Sequence, residues 1–154
     1  MMNNKYISLA LILLITFLAS SIGGFVTSSF KEPWYSEIIL PTFNPPSWIF
    51  GPVWTTLYIF MSVAAWIVWN KTLDKKNLQI YYVHIFFNAI WSVIFFGFHQ
   101  IFVALIDLGI ILIFIIWLMK IYYKISKISF VLMIPYLLWS SYALVLNTTI
   151  FYLN

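Results

Sequence analysis

Cysteine and arginine are both absent from this chain of 154 residues. Without cysteine there is no disulfide framework, no thiolate nucleophile and no cysteine-ligated metal or iron–sulfur site. Charge of either sign is scarce at 8% of residues, and only four side chains are acidic: Glu32, Glu37, Asp74 and Asp107. With two histidines in all, no Ser-His-Asp arrangement, phosphate-binding glycine loop or paired carboxylate site can be assembled from the pattern. What fills the chain is apolar: 64% hydrophobic and 21% aromatic residues, with a mean hydropathy of +0.99. Such a composition lies outside the soluble range and reads as a polytopic membrane protein.

A spanning helix needs about 20 mostly apolar residues. That rule divides the sequence into five, about 6–26, 47–69, 78–98, 102–118 and 129–151. The expectation is an all-α membrane protein, a five-transmembrane-helix bundle forming one domain over 1–154, with a first loop at about 27–46. An odd number of crossings puts the termini on opposite sides. Lys5, Lys71, Lys75, Lys76, Lys120, Lys124 and Lys127 fall in the N-terminal tail and the second and fourth connections, against Lys31 alone in the first. By the positive-inside rule the N-terminus is cytoplasmic, and the first loop and C-terminus are external. The same asymmetry accounts for the net charge of +4 without a nucleic-acid partner. Lys5, an apolar run and Ala19-Ser20-Ser21 also fit a cleaved signal peptide, which would leave four helices in the same orientation. The length of the run and the Gly23-Gly24 pair, suited to close helix packing, favour a retained helix.

The stretch Asn44-Pro45-Pro46-Ser47-Trp48 opens the second helix, and Pro52 lies inside it. Pro46 suits a first helical position, with Asn44 or Ser47 available for capping, and Trp48 suits the interfacial aromatic belt. Pro52 and Pro135 are expected to bend their helices and leave room beside Trp54 and Trp139. At about 1.5 Å per residue, Trp54, Tyr58, Asn88, Trp91, Ser92, Asp107, Trp139, Tyr142 and Asn147 all fall between the midplane and the outer face. Trp54, Tyr58, Met61 and Ala65 share one helix face, as do Trp139, Ala143 and Leu146/Asn147. Two readings stand: aromatic core packing, or a pocket with a few polar groups opening toward the first loop. Asp107, roughly 8 Å deep, is either functional or a structural hydrogen-bonding group, with a Trp indole or Asn amide as its expected partner. His84 and His99 are about 15 residues apart, roughly 22 Å along a helix, and cannot share a metal.

"WYSEIILPTFNPPSWIFGPVWTTLYIFM", "NAIWSVIFFGFHQ", "ALIDLGIIL" and "PYLLWSSYALVLN" stand in the order and spacing of the translocator protein (TSPO) family, also called tryptophan-rich sensory proteins or peripheral-type benzodiazepine receptors (MBR). The chain resembles that family from about Gly23 to Asn147. The resemblance implies a membrane receptor or carrier whose pocket beneath the first loop binds porphyrins and benzodiazepine-type or sterol-like ligands, commonly as a homodimer. It implies Tyr35 and Pro45 as lid residues and Trp54, Asn88, Trp139 and Ala143 as pocket wall, joining Tyr58, Trp91, Asp107 and Leu146 in the expected ligand-binding set. Some bacterial members degrade protoporphyrin in light, so Trp54 and Trp139 would be catalytic if this chain is an enzyme. A structural or partner-binding role is the third alternative. Porphyrin enters as ligand or substrate, with no cofactor required and no metal site. Two departures bear on ligand choice: Leu40-Pro41-Thr42-Phe43 replaces a Lys-Pro-x-Trp stretch, and no basic residue follows the last aromatics, which weakens the case for sterol handling. Short loops and the exclusive use of lysine suggest a bacterial cytoplasmic membrane; in a eukaryote the resemblance would imply the outer mitochondrial membrane.

Overall fold

A computed structural model describes residues 4–154, so the first three residues of the expected domain lie outside the described residues. The chain is all-helical: α1 (Lys5–Phe30), a short α2 (Trp34–Glu37), α3 (Ser47–Thr72), α4 (Lys75–Ser92) running into a π-helical turn (Val93–Gly97), α5 (Ile101–Ile125) and α6 (Lys127–Leu153). Five of these are long and apolar enough to cross a membrane. Four of the long helices outrun their expected spans, and the third starts three residues early but ends at Gly97, one residue short; side chains such as Asn4 and Asp74 cap the first turns beyond the apolar stretches, at 3.0 Å to the Tyr6 amide and 2.9 Å to the Lys76 amide. The short α2 lies inside the first loop, where the sequence pattern gives no helix; four residues carry too little periodicity to announce one.

The helices close into a ring in which α1 lies against α3 and α4, α3 against α6, α6 against α5, and α5 against α4. Met61, Ile115, Leu118, Met133, Tyr81 and Tyr136 are fully buried at its centre. Leu14, Leu18, Ile22 and Phe25 form a stripe on the outer face of α1, as expected where the surrounding solvent is lipid rather than water. Hydroxyls in the outer segments are satisfied within their own helix: Thr55 Oγ1 donates to Gly51 O at 2.9 Å, Thr56 Oγ1 to Pro52 O at 2.9 Å and Ser141 Oγ to Leu137 O at 2.8 Å. That back-bonding lets a hydroxyl face hydrocarbon without an unpaired donor.

Three local expectations change. Pro46 is the N-cap residue rather than the first helical one, and the cap has no side-chain acceptor; Asn44 Oδ1 instead accepts from the Tyr35 hydroxyl at 3.1 Å, and Ser47 Oγ from Lys31 Nζ at 3.2 Å. The capping groups are thus used to fasten the loop. Of the glycine pair only Gly23 makes a close approach, its Cβ position lying 3.1 Å from Ser92 Oγ, while Gly24 has nothing within 4 Å. At the end of α4 the Phe98 amide bonds to Val93 O at 2.9 Å, five residues back. This π turn fits one extra residue into the coil and brings both Phe95 and Phe96 to the inner side.

Candidate functional site

A cavity of about 460 Å³ lies inside the end of the ring nearest α2, beneath the first loop. Eight of the ten residues expected from the sequence line it: Tyr35, Trp54, Tyr58, Asn88, Trp91, Trp139, Ala143 and Leu146. Two do not. Pro45 is half-buried in the loop but outside the lining. Asp107 is buried on the turn of α5 beside Leu108, which does line the cavity, and its own side chain is outside the lining. The expected pairing of Asp107 is not seen: Asn147 Nδ2 donates to Ile101 O at 3.1 Å, and among the described residues neither Asp107 Oδ2 nor Trp91 Nε1, both buried, has a hydrogen-bond partner.

The walls are aromatic rings set edge to face or stacked. Trp54 stacks on Tyr58 with ring centroids 5.5 Å apart, Phe50 meets Trp139 edge-on at 6.0 Å, and Trp91 stacks on Phe95 at 4.9 Å. The spacing of Trp54 and Tyr58 on α3 placed these two on one face; the π turn that presents Phe95 and Phe96 carries no sequence signal of its own. On the floor, Tyr58 Oη donates to Asn88 Oδ1 at 2.7 Å, and Asn88 Nδ2 donates to Tyr136 Oη at 2.9 Å. The amide orientation follows from this network.

The loop roofs the cavity and is fastened at several points. Tyr142 Oη donates to Phe43 O at 2.6 Å. The Asn154 side chain accepts from the Ile39 amide at 2.9 Å and donates to Ile39 O at 3.1 Å. Trp34 on α2 stacks on His99 with centroids 4.4 Å apart and planes at 15°. His99 holds a left-handed φ of 55°, an uncommon backbone for a side-chain-bearing residue, and this places its ring under Trp34. Burial pushes the Tyr35 phenol above its ordinary pKa, the hydrogen bond to Asn44 pulls the other way, and Glu32 adds to the rise; the phenol stays protonated and donates. Among the described residues Lys31 is the one cation in the lining, 3.7 Å from Glu32 Oε1 and 5.0 Å above the Tyr35 ring.

The two helix prolines sit elsewhere. α3 and α6 run on through Pro52 and Pro135, and both prolines line a separate groove of about 550 Å³ on the outer, lipid-facing side between those helices. Trp139 and Tyr142 line groove and cavity alike, so the room the prolines make is outside the wall that Trp139 forms. His84, which is fully buried, bonds through Nε2 to Tyr136 Oη at 2.7 Å.

A family model described as the TspO/MBR family matches residues 10–153. The chain belongs to the TspO/MBR family. It is 33% identical over 157 residues to the tryptophan-rich protein TspO of Chlorobaculum tepidum, covering 99% of each chain. It is 33% identical over 144 residues to the tryptophan-rich sensory protein of Cereibacter sphaeroides, covering 92% of this chain and 91% of that one. With the human translocator protein it shares 34% identity over 139 residues, 84% of this chain and 82% of the relative. This TspO/MBR chain is therefore a multi-pass membrane protein whose tryptophan-lined cavity is enclosed by α1, α3, α4, α5, α6 and the first loop.

Proposed function

We propose that this TspO/MBR protein is a membrane receptor or carrier that holds a planar tetrapyrrole of the protoporphyrin type in the cavity beneath the first loop. The observation that carries the reading is the aromatic cavity of about 460 Å³, within the usual range of small-molecule sites at about 300–1,000 Å³. Flat π faces match a flat π ligand, and Lys31 at the mouth supplies a cation for a propionate. On the positive-inside argument the roofed end faces outward and the lysine-rich end the cytoplasm, in a bacterial cytoplasmic membrane, with a homodimer as the assembled form. Benzodiazepine-type ligands fit the same apolar walls.

The test is a dark titration of the detergent-solubilised protein with protoporphyrin, read by tryptophan quenching. Saturable quenching is expected, weakened by about 2 kcal/mol or more in Trp139→Ala, the scale of an aromatic hot spot; an unchanged affinity in a folded variant sinks the site. A second reading, light-dependent breakdown of the porphyrin, has its own support in the contact of Trp54 with two phenol rings, at 5.5 Å from Tyr58 and 6.2 Å from Tyr136. It expects a new product band on illumination that disappears in Trp54→Phe or Trp139→Phe although binding persists.

A further inference from the structure

Below the cavity floor the bundle contains a polar thread that ligand binding alone does not require. Asn88 Nδ2 donates to Tyr136 Oη at 2.9 Å, and Tyr136 Oη meets His84 Nε2 at 2.7 Å. Tyr136 and His84 are both fully buried, and His84 Nδ1 has no hydrogen-bond partner among the described residues. The direction of the Tyr136–His84 bond depends on the tautomer of His84; in the Nδ1–H tautomer the phenol that accepts from Asn88 Nδ2 donates its own proton to His84 Nε2, and this is the tautomer the relay uses. Above the phenol, the Tyr136 ring lies edge-on to Trp54 with centroids 6.2 Å apart. A cavity-wall indole, a phenol and a buried neutral imidazole thus stand in contact, in that order.

That order has a chemical meaning. A phenol gives up an electron readily only when its proton has somewhere to go, and a base within about 2.6–3.2 Å supplies the place. Tyr58 is nearer to Trp54, stacked at 5.5 Å, but its hydroxyl is bonded to an amide oxygen, Asn88 Oδ1, which is not a base. Tyr81 bonds to the hydroxyls of Thr16 at 2.7 Å and Ser62 at 3.3 Å, which are not bases either. Among the described tyrosines, Tyr136 alone combines contact with a cavity-lining tryptophan and a hydrogen bond to a histidine ring nitrogen.

We propose that Tyr136, with His84 as its proton acceptor, is a redox relay that re-reduces Trp54 after Trp54 has given an electron to a photo-excited tetrapyrrole in the cavity. The inference rests on the tetrapyrrole reading of that cavity. In the first step the excited ligand takes one electron from the Trp54 indole, leaving an indole radical cation and a ligand with one electron more. In the second, one electron passes from Tyr136 to Trp54 while the Oη–H bond breaks and its proton joins His84 Nε2. The products are neutral Trp54, a neutral Tyr136 phenoxyl radical and a His84 imidazolium, whose positive charge balances the electron on the ligand. When the ligand's electron comes back to the Tyr136 radical the proton returns from His84 Nε2 to Oη, and the relay resets.

The experiment is electron paramagnetic resonance of the protoporphyrin-loaded protein illuminated in frozen detergent solution, with ring-deuterated tyrosine as the label and binding measured separately by quenching. The wild type is expected to give a radical whose spectrum narrows on tyrosine deuteration. The signal is lost in Tyr136→Phe and kept in Tyr58→Phe. In His84→Gln its yield falls by about a hundredfold, the lower edge of what a positioned proton acceptor contributes. Porphyrin that binds but yields only a tryptophan radical, or a tyrosine signal unchanged in Tyr136→Phe, overturns the relay and leaves the binding site standing. If porphyrin does not bind, ultraviolet photoionisation of the tryptophans in the ligand-free protein decides the relay alone. A tyrosine radical dependent on both Tyr136 and His84 then supports it, and a radical independent of either overturns it. Should Tyr136→Phe fail to fold, His84→Gln decides by itself: a lowered yield supports the relay and an unchanged yield overturns it.

Discussion

Gly23 and Gly24 are adjacent and chemically identical, yet the bundle treats them differently. A Cβ on Gly23 would meet Ser92 Oγ at 3.1 Å and Ser92 Cβ at 3.5 Å, so α1 and α4 approach through this residue. A Cβ on Gly24 meets nothing within 4 Å. Gly24→Ala is expected to leave the melting temperature in detergent unchanged or to raise it slightly, since alanine is favoured over glycine in a helix by about 1 kcal/mol. Gly23→Leu is expected to lower it, with overpacking costing about 1–3 kcal/mol. Equal melting curves for the two variants would contradict the close contact at Ser92. The same contrast between neighbours separates Asp107 from Leu108. Depth along the helix is the same for both within a residue, but only the second faces the cavity.

At the scale of the element, the first loop is a roof held by its fastenings rather than by regular structure. Its helix, α2, spans only Trp34–Glu37, too short to be stable by itself. Its position is fixed by Trp34 against His99 and Phe95, by Tyr35 on Asn44 and by the Asn154 and Tyr142 hydrogen bonds to the loop backbone. An aromatic pair contributes about 1 kcal/mol beyond its burial, equivalent to roughly fivefold in an opening equilibrium. His99→Ala is therefore expected to speed amide hydrogen exchange across residues 34–46 by about that factor while leaving exchange in α5 unchanged. Exchange equally fast in both proteins would show that the stacked pair is not a fastening.

For the whole molecule the governing quantity is the separation of charge between its two ends. Lys71 in the last turn of α3 and Lys75 and Lys76 in the first turn of α4 flank one connection, and Lys120 and Lys124 near the end of α5 and Lys127 at the start of α6 flank the other. Lys31 is the only lysine at the roofed end. The absence of cysteine makes the resulting orientation directly measurable, since a single introduced thiol has no competitor. With Glu37→Cys and Lys75→Cys made separately, a membrane-impermeant maleimide added to intact cells is expected to label position 37 and not position 75. The opposite pattern would invert the topology.

The sequence by itself determined the class and the family. The five apolar stretches leave no alternative to a helical bundle in lipid, where each backbone group must be satisfied inside its own segment. Four separated motifs, three of them bearing tryptophan, carry the resemblance. It also placed most of the cavity wall, because Trp54 and Tyr58, or Trp139 and Ala143, lie one turn apart and so share a helix face whatever the helix packs against. The tertiary structure decided what depends on rotation about each helix axis and on partners far apart in the chain. It set Asp107 outside the cavity and gave the capping groups Asn44 and Ser47 to Tyr35 and Lys31. It also turned the two prolines to an outer groove, with Trp139 between that groove and the cavity. The contact of His84 with Tyr136 spans 52 positions of sequence. Local spacing constrains neighbours within a turn or two, whereas such a pairing exists only once α4 and α6 have packed.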